Sequence, residues 1–372
     1  NAYSDQYSVV NLDGEIGISY IYRGNPNLTW ENSANFNIGF DFGFFDKLKG
    51  TIEYYNKYTK DLLYQKILPG SMGAPNWIYD NAISMTNSGI EIELSYDIFK
   101  KKDLFWNITA NATYQSNKLD KLPIDRDSFG YGYRVGDYFY KIGNSLYDYY
   151  LYEYAGVDPD TGRSLWWRDI YAKDDNGDFI YDKNNNRVVE SSEKTNDYSK
   201  ATYRQNGKSG LVDWYGGVST SVVWKGVDLS IQTSYQIGGY GIDGQYSNLM
   251  NSMEAPGRNV HNDVIKNRWR TPGQITDVPK VQYNLQNQNA TSDRFLTSKT
   301  AFTLQNVTIG YTLPKSIAKK LDIDALRVYA SGDNLLLMSA RKGFDPRISI
   351  GAGTGFNYSA MRTFTLGVNL NF

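Results

Sequence analysis

Polar and apolar residues alternate one by one along much of this chain. From Ala34 to Phe42 the even positions are Ala34, Phe36, Ile38, Phe40 and Phe42, while Ser33, Asn35, Asn37, Gly39, Asp41 and Gly43 fill the odd ones. Successive side chains of a strand point to opposite faces, so this segment predicts a strand with one oily and one wet face. The same alternation runs through Ile90 to Ile98, Trp106 to Tyr114, Val227 to Ile237 and Phe364 to Phe372. Weaker alternation marks strands near 50–60, 214–224, 301–313 and 325–336. Nine strands are expected, with 13–22 as a candidate tenth.

The connections between them alternate in length. Phe45–Lys49, Lys100–Asp103, Trp224–Val227 and Pro314–Asp322 are short, whereas those at about 61–86, 117–211, 238–298 and 338–358 are long. Transmembrane barrels have tight turns on the periplasmic side and long loops outside. A final strand running down to the periplasmic rim places every short turn there, so Lys47, Lys101 and Lys225 are expected inside and Trp77, Trp167 and Arg341 outside. Roughly ten residues at ~3.3 Å each, tilted by ~45°, span about 23 Å, which fits the apolar band of such a barrel. A soluble β-sandwich also alternates, but its loops do not sort into short and long by parity. The expected fold is all-β: a transmembrane antiparallel β-barrel.

Composition fits that reading. Aromatics make up 15 % of the 372 residues, and 34 are glycine, which favours strands and turns. Mean hydropathy is −0.53, and no apolar run reaches the roughly 18 residues of a membrane helix. Barrels give that result because lumen-facing polar residues offset lipid-facing apolar ones in any window. The chain has no cysteine and one histidine, His261, which leaves no disulfide, thiolate or multi-histidine metal site. His261 is expected to be structural, within a short helix at Asn259–Trp269. A net charge of −1 gives no sign of nucleic-acid binding. No Ser/His/Asp set or phosphate loop stands out. Glu91 and Glu93 share one strand face, which is ordinary for a hydrated lumen rather than a glycosidase pair. Neither an enzyme nor a cofactor is expected. The start, Asn1-Ala2-Tyr3-Ser4, implies a removed signal peptide or a beginning inside a longer protein.

Several segments resemble the SusC/RagA family of TonB-dependent outer-membrane transporters of Bacteroidetes. They include Gly24-Asn25-Pro26-Asn27-Leu28-Thr29-Trp30-Glu31, Asn56-Lys57-Tyr58-Thr59-Lys60-Asp61-Leu62-Leu63, Asn87-Ser88-Gly89-Ile90-Glu91 and Ala155-Gly156-Val157-Asp158-Pro159-Asp160-Thr161-Gly162. Arg268-Trp269-Arg270-Thr271-Pro272-Gly273, Val307-Thr308-Ile309-Gly310-Tyr311-Thr312-Leu313-Pro314, Gly332-Asp333-Asn334-Leu335-Leu336 and Gly343-Phe344-Asp345-Pro346 follow in the family's order. The resemblance implies a 22-stranded barrel with an N-terminal plug, driven by TonB and capped by a SusD-type surface lipoprotein. Residues 1–372 then correspond to the C-terminal nine or ten strands, without the plug. The implied role is import of oligosaccharide or peptide across the bacterial outer membrane, with TonB reached through the missing N-terminal part. A dimer of the transporter–lid pair is a further candidate assembly. The competing roles are a barrel-shaped scaffold in a larger outer-membrane complex and a free-standing porin-like barrel.

Two groups of residues are candidate sites. The terminal Phe372, with Leu370 and Val368, resembles the signal by which outer-membrane barrels are recognised for assembly. The loop at about 117–211 is crowded with aromatics, among them Tyr131, Tyr133, Trp166 and Trp167. With Trp77 and Tyr79 these are candidates for contacting ligand or lid, since phenol and indole faces stack at little entropic cost. The alternative is that the loop's aromatics pack among themselves. Within it Asp174, Asn176, Asp178 and Asp182 partly mimic a calcium loop, but Phe179 and Asn185 stand where such a loop needs glycine and a bidentate glutamate. A solvated acidic turn is expected there.

Overall fold

Nine strands carry most of the alternation, and they lie side by side in the order in which the chain makes them. The computed structural model describes residues 3–73, 75–123, 132–183, 186–251, 257–347 and 358–372. Strands β1 (Asn32–Phe44), β2 (Leu48–Ile67), β3 (Trp77–Lys101) and β4 (Leu104–Lys121) come first. They are followed by β5 (Trp214–Trp224), β6 (Val227–Ile237), β7 (Ala301–Thr312), β8 (Ala325–Ser339) and β9 (Thr363–Asn371). Each pairs antiparallel with the next, giving one up-and-down sheet with β1 and β9 as its edges. The sheet is an open stretch of barrel wall.

The two faces differ as the alternation requires. Phe36, Ile38, Phe40 and Phe44 on β1 are more than half exposed, and so are Phe364, Leu366 and Val368 on β9. A water-soluble protein rarely exposes so continuous an apolar surface, and a sandwich would cover it with a second sheet. The opposite face is wet and largely satisfies itself. Asn107 donates to Ser95 and Asp97 at 3.0 and 2.8 Å, Thr51 to Asp41 at 2.7 Å, and Asn306 to Ser331 and Asp333 at 2.9 and 2.7 Å.

All four short connections fall at one end of the sheet. The β5–β6 turn has Lys225 and Gly226 at φ 48° and 90°. Two positive φ values mark the turn whose twist matches a hairpin's strands, and the second of them suits glycine. The other end carries the long connections, with one correction. The predicted loop at 61–86 is mostly strand, because β2 and β3 stay paired up to Ile67 and Trp77. A bulge hides this: Asp61 sits at φ 61°, the register slips between Thr59 and Leu62, and Asn81 donates to the Asp61 carbonyl at 2.6 Å. One extra residue shifts the phase of a period-2 pattern. The candidate tenth strand also differs. Glu15–Tyr22 pairs only with Gln6–Leu12, as a separate hairpin.

The long connections have cores of their own. Between β6 and β7, Met250, Val264, Val278 and Phe295 are buried together under two short helices, Gly244–Leu249 and Asn262–Asn267. His261 caps the second helix, its Nδ1 accepting from the Asp263 amide at 3.2 Å. The segment after β8 folds back onto this unit: Arg341 pairs with the buried Asp243 and lies 3.7 Å from the Tyr246 ring. At the base of the largest connection Ile83, Leu119 and Leu122 form a second apolar cluster. Among the described residues no helix is long and apolar enough to cross a membrane, which has no bearing on strands.

Candidate functional site

The connection between β4 and β5 builds two small sheets. One orders its strands as Tyr203–Ser209, Asp148–Tyr152, Tyr138–Tyr140 and Tyr133–Val135, and the other comprises Tyr154–Val157, Ser164–Tyr171 and Val189–Thr195. The aromatic residues that make this segment too apolar to stay disordered form a continuous run across the first sheet and into the second. Phe139 and Tyr150 have ring centroids 4.5 Å apart, Tyr150 and Tyr203 5.6 Å, and Tyr203 and Tyr152 3.8 Å. Tyr198 continues from Tyr152 at 4.5 Å and meets Trp166 at 5.1 Å.

A cleft of about 580 Å³ opens beside this run, lined by residues of both sheets: Phe139, Tyr150, Tyr203, Arg204 and Gln205 on one side, Asp169, Tyr171 and Val189 on the other. Tyr181, Asn186 and Arg187 enter from a turn. Arg204 ties the sheets together. Its Nε donates to Asp169 Oδ2 at 3.0 Å, its Nη1 to Glu153 at 2.8 Å, and its Nη2 to Asp169 Oδ1 and to the Ser192 hydroxyl. Burial pushes the Asp169 carboxyl upward, but the Arg204 and Ser192 hydrogen bonds outweigh it and hold the group below the usual carboxylate range. Burial raises the phenols of Tyr150 and Tyr171, and with the Tyr152 hydrogen bond it pushes Tyr203 up to about 12. At neutral pH the cleft therefore presents uncharged aromatic faces around fixed charges. Such a surface can stack on sugar rings or peptide side chains and hydrogen-bond their polar edges.

The sequence candidates fall in different places. Trp166 is 1 % exposed, packed between Tyr154 and Tyr198, so its indole serves the loop's own core. Trp167 faces the other side of the same strand, half-buried, with Lys194 and Arg204 each 5.4 Å from its ring. Adjacent residues of a strand cannot share a face, so the two indoles do not form one platform. Tyr133 packs on Tyr140 at 5.8 Å, over the cluster of Ile83, Leu119 and Leu122. Trp77 and Tyr79 form a separate group with Tyr22 of the N-terminal hairpin, at 5.4 and 6.1 Å from it. Tyr131 lies outside the described residues. Val368, Leu370 and the terminal Phe372 are all exposed, on the apolar side of β9. In the acidic turn, the Asp174 carboxylate accepts from the amides of Asn176 and Asp178, both at 2.9 Å, and Asp182 accepts from Asn186 at 2.8 Å. These carboxylates close turns; Asn185 lies outside the described residues. Among the described residues no group of three or more His, Cys, Asp or Glu side chains is placed to hold a metal ion.

Sequence reasoning did not single out Tyr181, Asn186, Arg187, Tyr203 or Arg204. The only available signal was their position downstream of the aromatic run, within the same long connection.

Comparison with known proteins matches this architecture. The family described as TonB dependent receptor-like, beta-barrel, matches residues 2–237. The chain is 26 % identical to TonB-dependent receptor P3 of Formosa agariphila over 393 aligned positions, covering 100 % of this chain and 37 % of that protein. It is 26 % identical to TonB-dependent receptor SusC of Bacteroides thetaiotaomicron over 356 positions, covering 94 % of this chain and 32 % of SusC. Solved structures of the RagAB peptide transporter, and of the RagAB peptide importer in a closed-closed state, resemble it with TM-scores of 0.81 and 0.83. Their identities are 28 % and 27 %, and each comparison covers 100 % of this chain and 39 % of the other. The chain thus spans less than two-fifths of the length of these relatives. With that family matched over more than half of its residues, the chain belongs to the TonB-dependent receptor-like β-barrels.

Proposed function

We propose that this chain forms part of the wall and outer loops of an importer in the bacterial outer membrane, and that the cleft in the connection between β4 and β5 takes up the nutrient. The observation that carries this reading is the cleft itself. It is a cavity of ligand size, walled by Phe139, Tyr150, Tyr171 and Tyr203, on the end of the sheet that bears the long connections. The apolar face of the nine strands is suited to lipid, and the wet face to a hydrated lumen. Such barrels carry short turns on the periplasmic side and long loops outside, which would set the cleft on the outer surface. The nutrient is an oligosaccharide or a peptide, the second being what the RagAB structures are named for. Energy coupling would come through TonB, contacting a part of the protein beyond this chain, and a SusD-type lipoprotein would cover the outer face. Trp167 stays a contact candidate for ligand or lid, and Trp77, Tyr79 and Tyr133 for the lid. Val368, Leu370 and Phe372, on the apolar face at the β9 edge of the sheet, are candidates for recognition during barrel assembly.

The test is binding by the full-length transporter. Tyr171→Ala combined with Tyr181→Ala removes two cleft walls without touching the aromatic run or the Arg204 hub. Titration with the cognate nutrient should show at least a thirtyfold loss of affinity, corresponding to about 2 kcal/mol. Unchanged affinity would contradict the assignment.

A further inference from the structure

The cleft holds two arginines in different circumstances. Arg204 is compensated: Asp169 and Glu153 both bind it, and Ser192 takes a further donor. Arg187 is exposed at the other side of the cleft, and among the described residues no carboxylate lies within salt-bridge distance of it. Its guanidinium carbon lies 4.2 Å from the Phe179 ring centroid and 5.6 Å from that of Tyr171. Those π faces stabilise the cation and leave its in-plane N–H groups to donate elsewhere.

Its backbone is well supported. Arg187 bridges Tyr181, and the neighbouring Val188 amide donates to Ile180 at 2.8 Å while the Val188 carbonyl accepts from Ala172 at 2.9 Å. Asn186 beside it is held by Asp182 and by Lys141. The other charged groups lining the cleft are Asp169 and Arg204, which pair with each other, Glu153 binding Arg204 as well. Among the described lining residues Arg187 is the cation that no carboxylate pairs, and Lys141 on Asn186, Lys173 by the Phe179 ring and Arg134 over the Tyr203 ring add positive charge nearby. A planar guanidinium matches a carboxylate in two parallel hydrogen bonds.

We infer that the cleft selects ligands presenting a carboxylate, with Arg187 as its anchor. This rests on the reading of the cleft as the nutrient site. The carboxylate has two chemical sources, an acidic peptide or a uronic-acid oligosaccharide, and both use the same geometry.

The experiment uses full-length transporter and matched probes. One pair is an N-acetylated pentapeptide with a central glutamate and its counterpart with Gln for Glu and an amidated C-terminus. The other is a triuronate and its neutral, carboxyl-reduced form. In the pair that corresponds to the nutrient, the carboxylate member should bind about tenfold or more tightly than its neutral partner. Arg187→Gln should abolish the preference, and Arg187→Lys should keep part of it. Which pair discriminates identifies the source. Equal binding of acidic and neutral probes, or a preference that survives in R187Q, overturns the inference. In either case the cleft reading stands if the Tyr171/Tyr181 double variant still loses affinity. Binding of no probe in either pair overturns both.

Discussion

Arg327 on β8 reaches past β7 to Asp228 on β6, closing two hydrogen bonds of 2.9 and 2.6 Å to its carboxylate. The strand between them presents Gly310, where a Cβ would lie 2.6 Å from both Arg327 Nη2 and Asp228 Oδ1. The glycine is the passage that lets one ion pair clamp three strands near the short-turn end.

Gly310→Val should therefore displace the pair. The expected cost is about 1–2 kcal/mol, the usual worth of a charged hydrogen bond in a partly exposed setting. Urea titration of heat-modifiable full-length barrel should show a lower midpoint for G310V. Asp228→Asn should lose a similar amount, and the two effects should not add, since both remove one interaction. Additive losses would contradict the clamp.

Much of the sheet was legible because lipid and lumen impose opposite chemistry on alternate residues. Asn32–Phe44, Val227–Ile237 and Thr363–Asn371 follow the pattern closely. The outer halves of β2 and β3 were not legible, since the Asp61 bulge shifts the phase that the pattern depends on. Cross-strand packing was also hidden: the Tyr329 ring lies over Gly367, where a Cβ would come within 2.3 Å of it. No spacing along the chain announces such a partner. The site was legible only as a neighbourhood. Aromatic density pointed to the connection that holds the cleft, but size favoured Trp166, which the strand's alternation turns inward. Tyr150 and Tyr203 meet only through pairing of strands far apart in sequence, and Asp169 joins them from the other sheet through Arg204.

The Arg204 hub gives a prediction for pH. Asp169 has a folded-state pKa below its ordinary 3.8. Its contribution is therefore complete above that value and is lost as pH falls through the lower, folded one. Tryptophan fluorescence of the loop, which has Trp167 beside Arg204, should stay constant from about pH 7 to about pH 5 and change only below about pH 4. Arg204→Met strands a carboxylate whose side chain is 7 % exposed. Such a variant should destabilise the two small sheets by about 3 kcal/mol, read as faster proteolysis between β4 and β5. A fluorescence transition near neutral pH in the unaltered protein would contradict this.

Orientation can be tested at single sites, because this chain has no cysteine of its own. Lys102→Cys lies in the β3–β4 turn and Tyr283→Cys in the long β6–β7 connection, both exposed. In intact cells a membrane-impermeant thiol reagent should label position 283 and not 102. Labelling of 102 alone would invert the assigned direction.

The claim that this barrel imports a nutrient through its outer cleft is tested most directly by uptake in living cells. Cells should carry either the unaltered transporter or the Tyr171→Ala/Tyr181→Ala variant as their only copy, with equal amounts of heat-modifiable barrel in the outer membrane. Initial uptake of labelled cognate nutrient, supplied below saturation, should fall at least tenfold in the variant, because a cleft hot spot sets affinity at the cell surface. Uptake at the unaltered rate with equal barrel abundance would contradict the account.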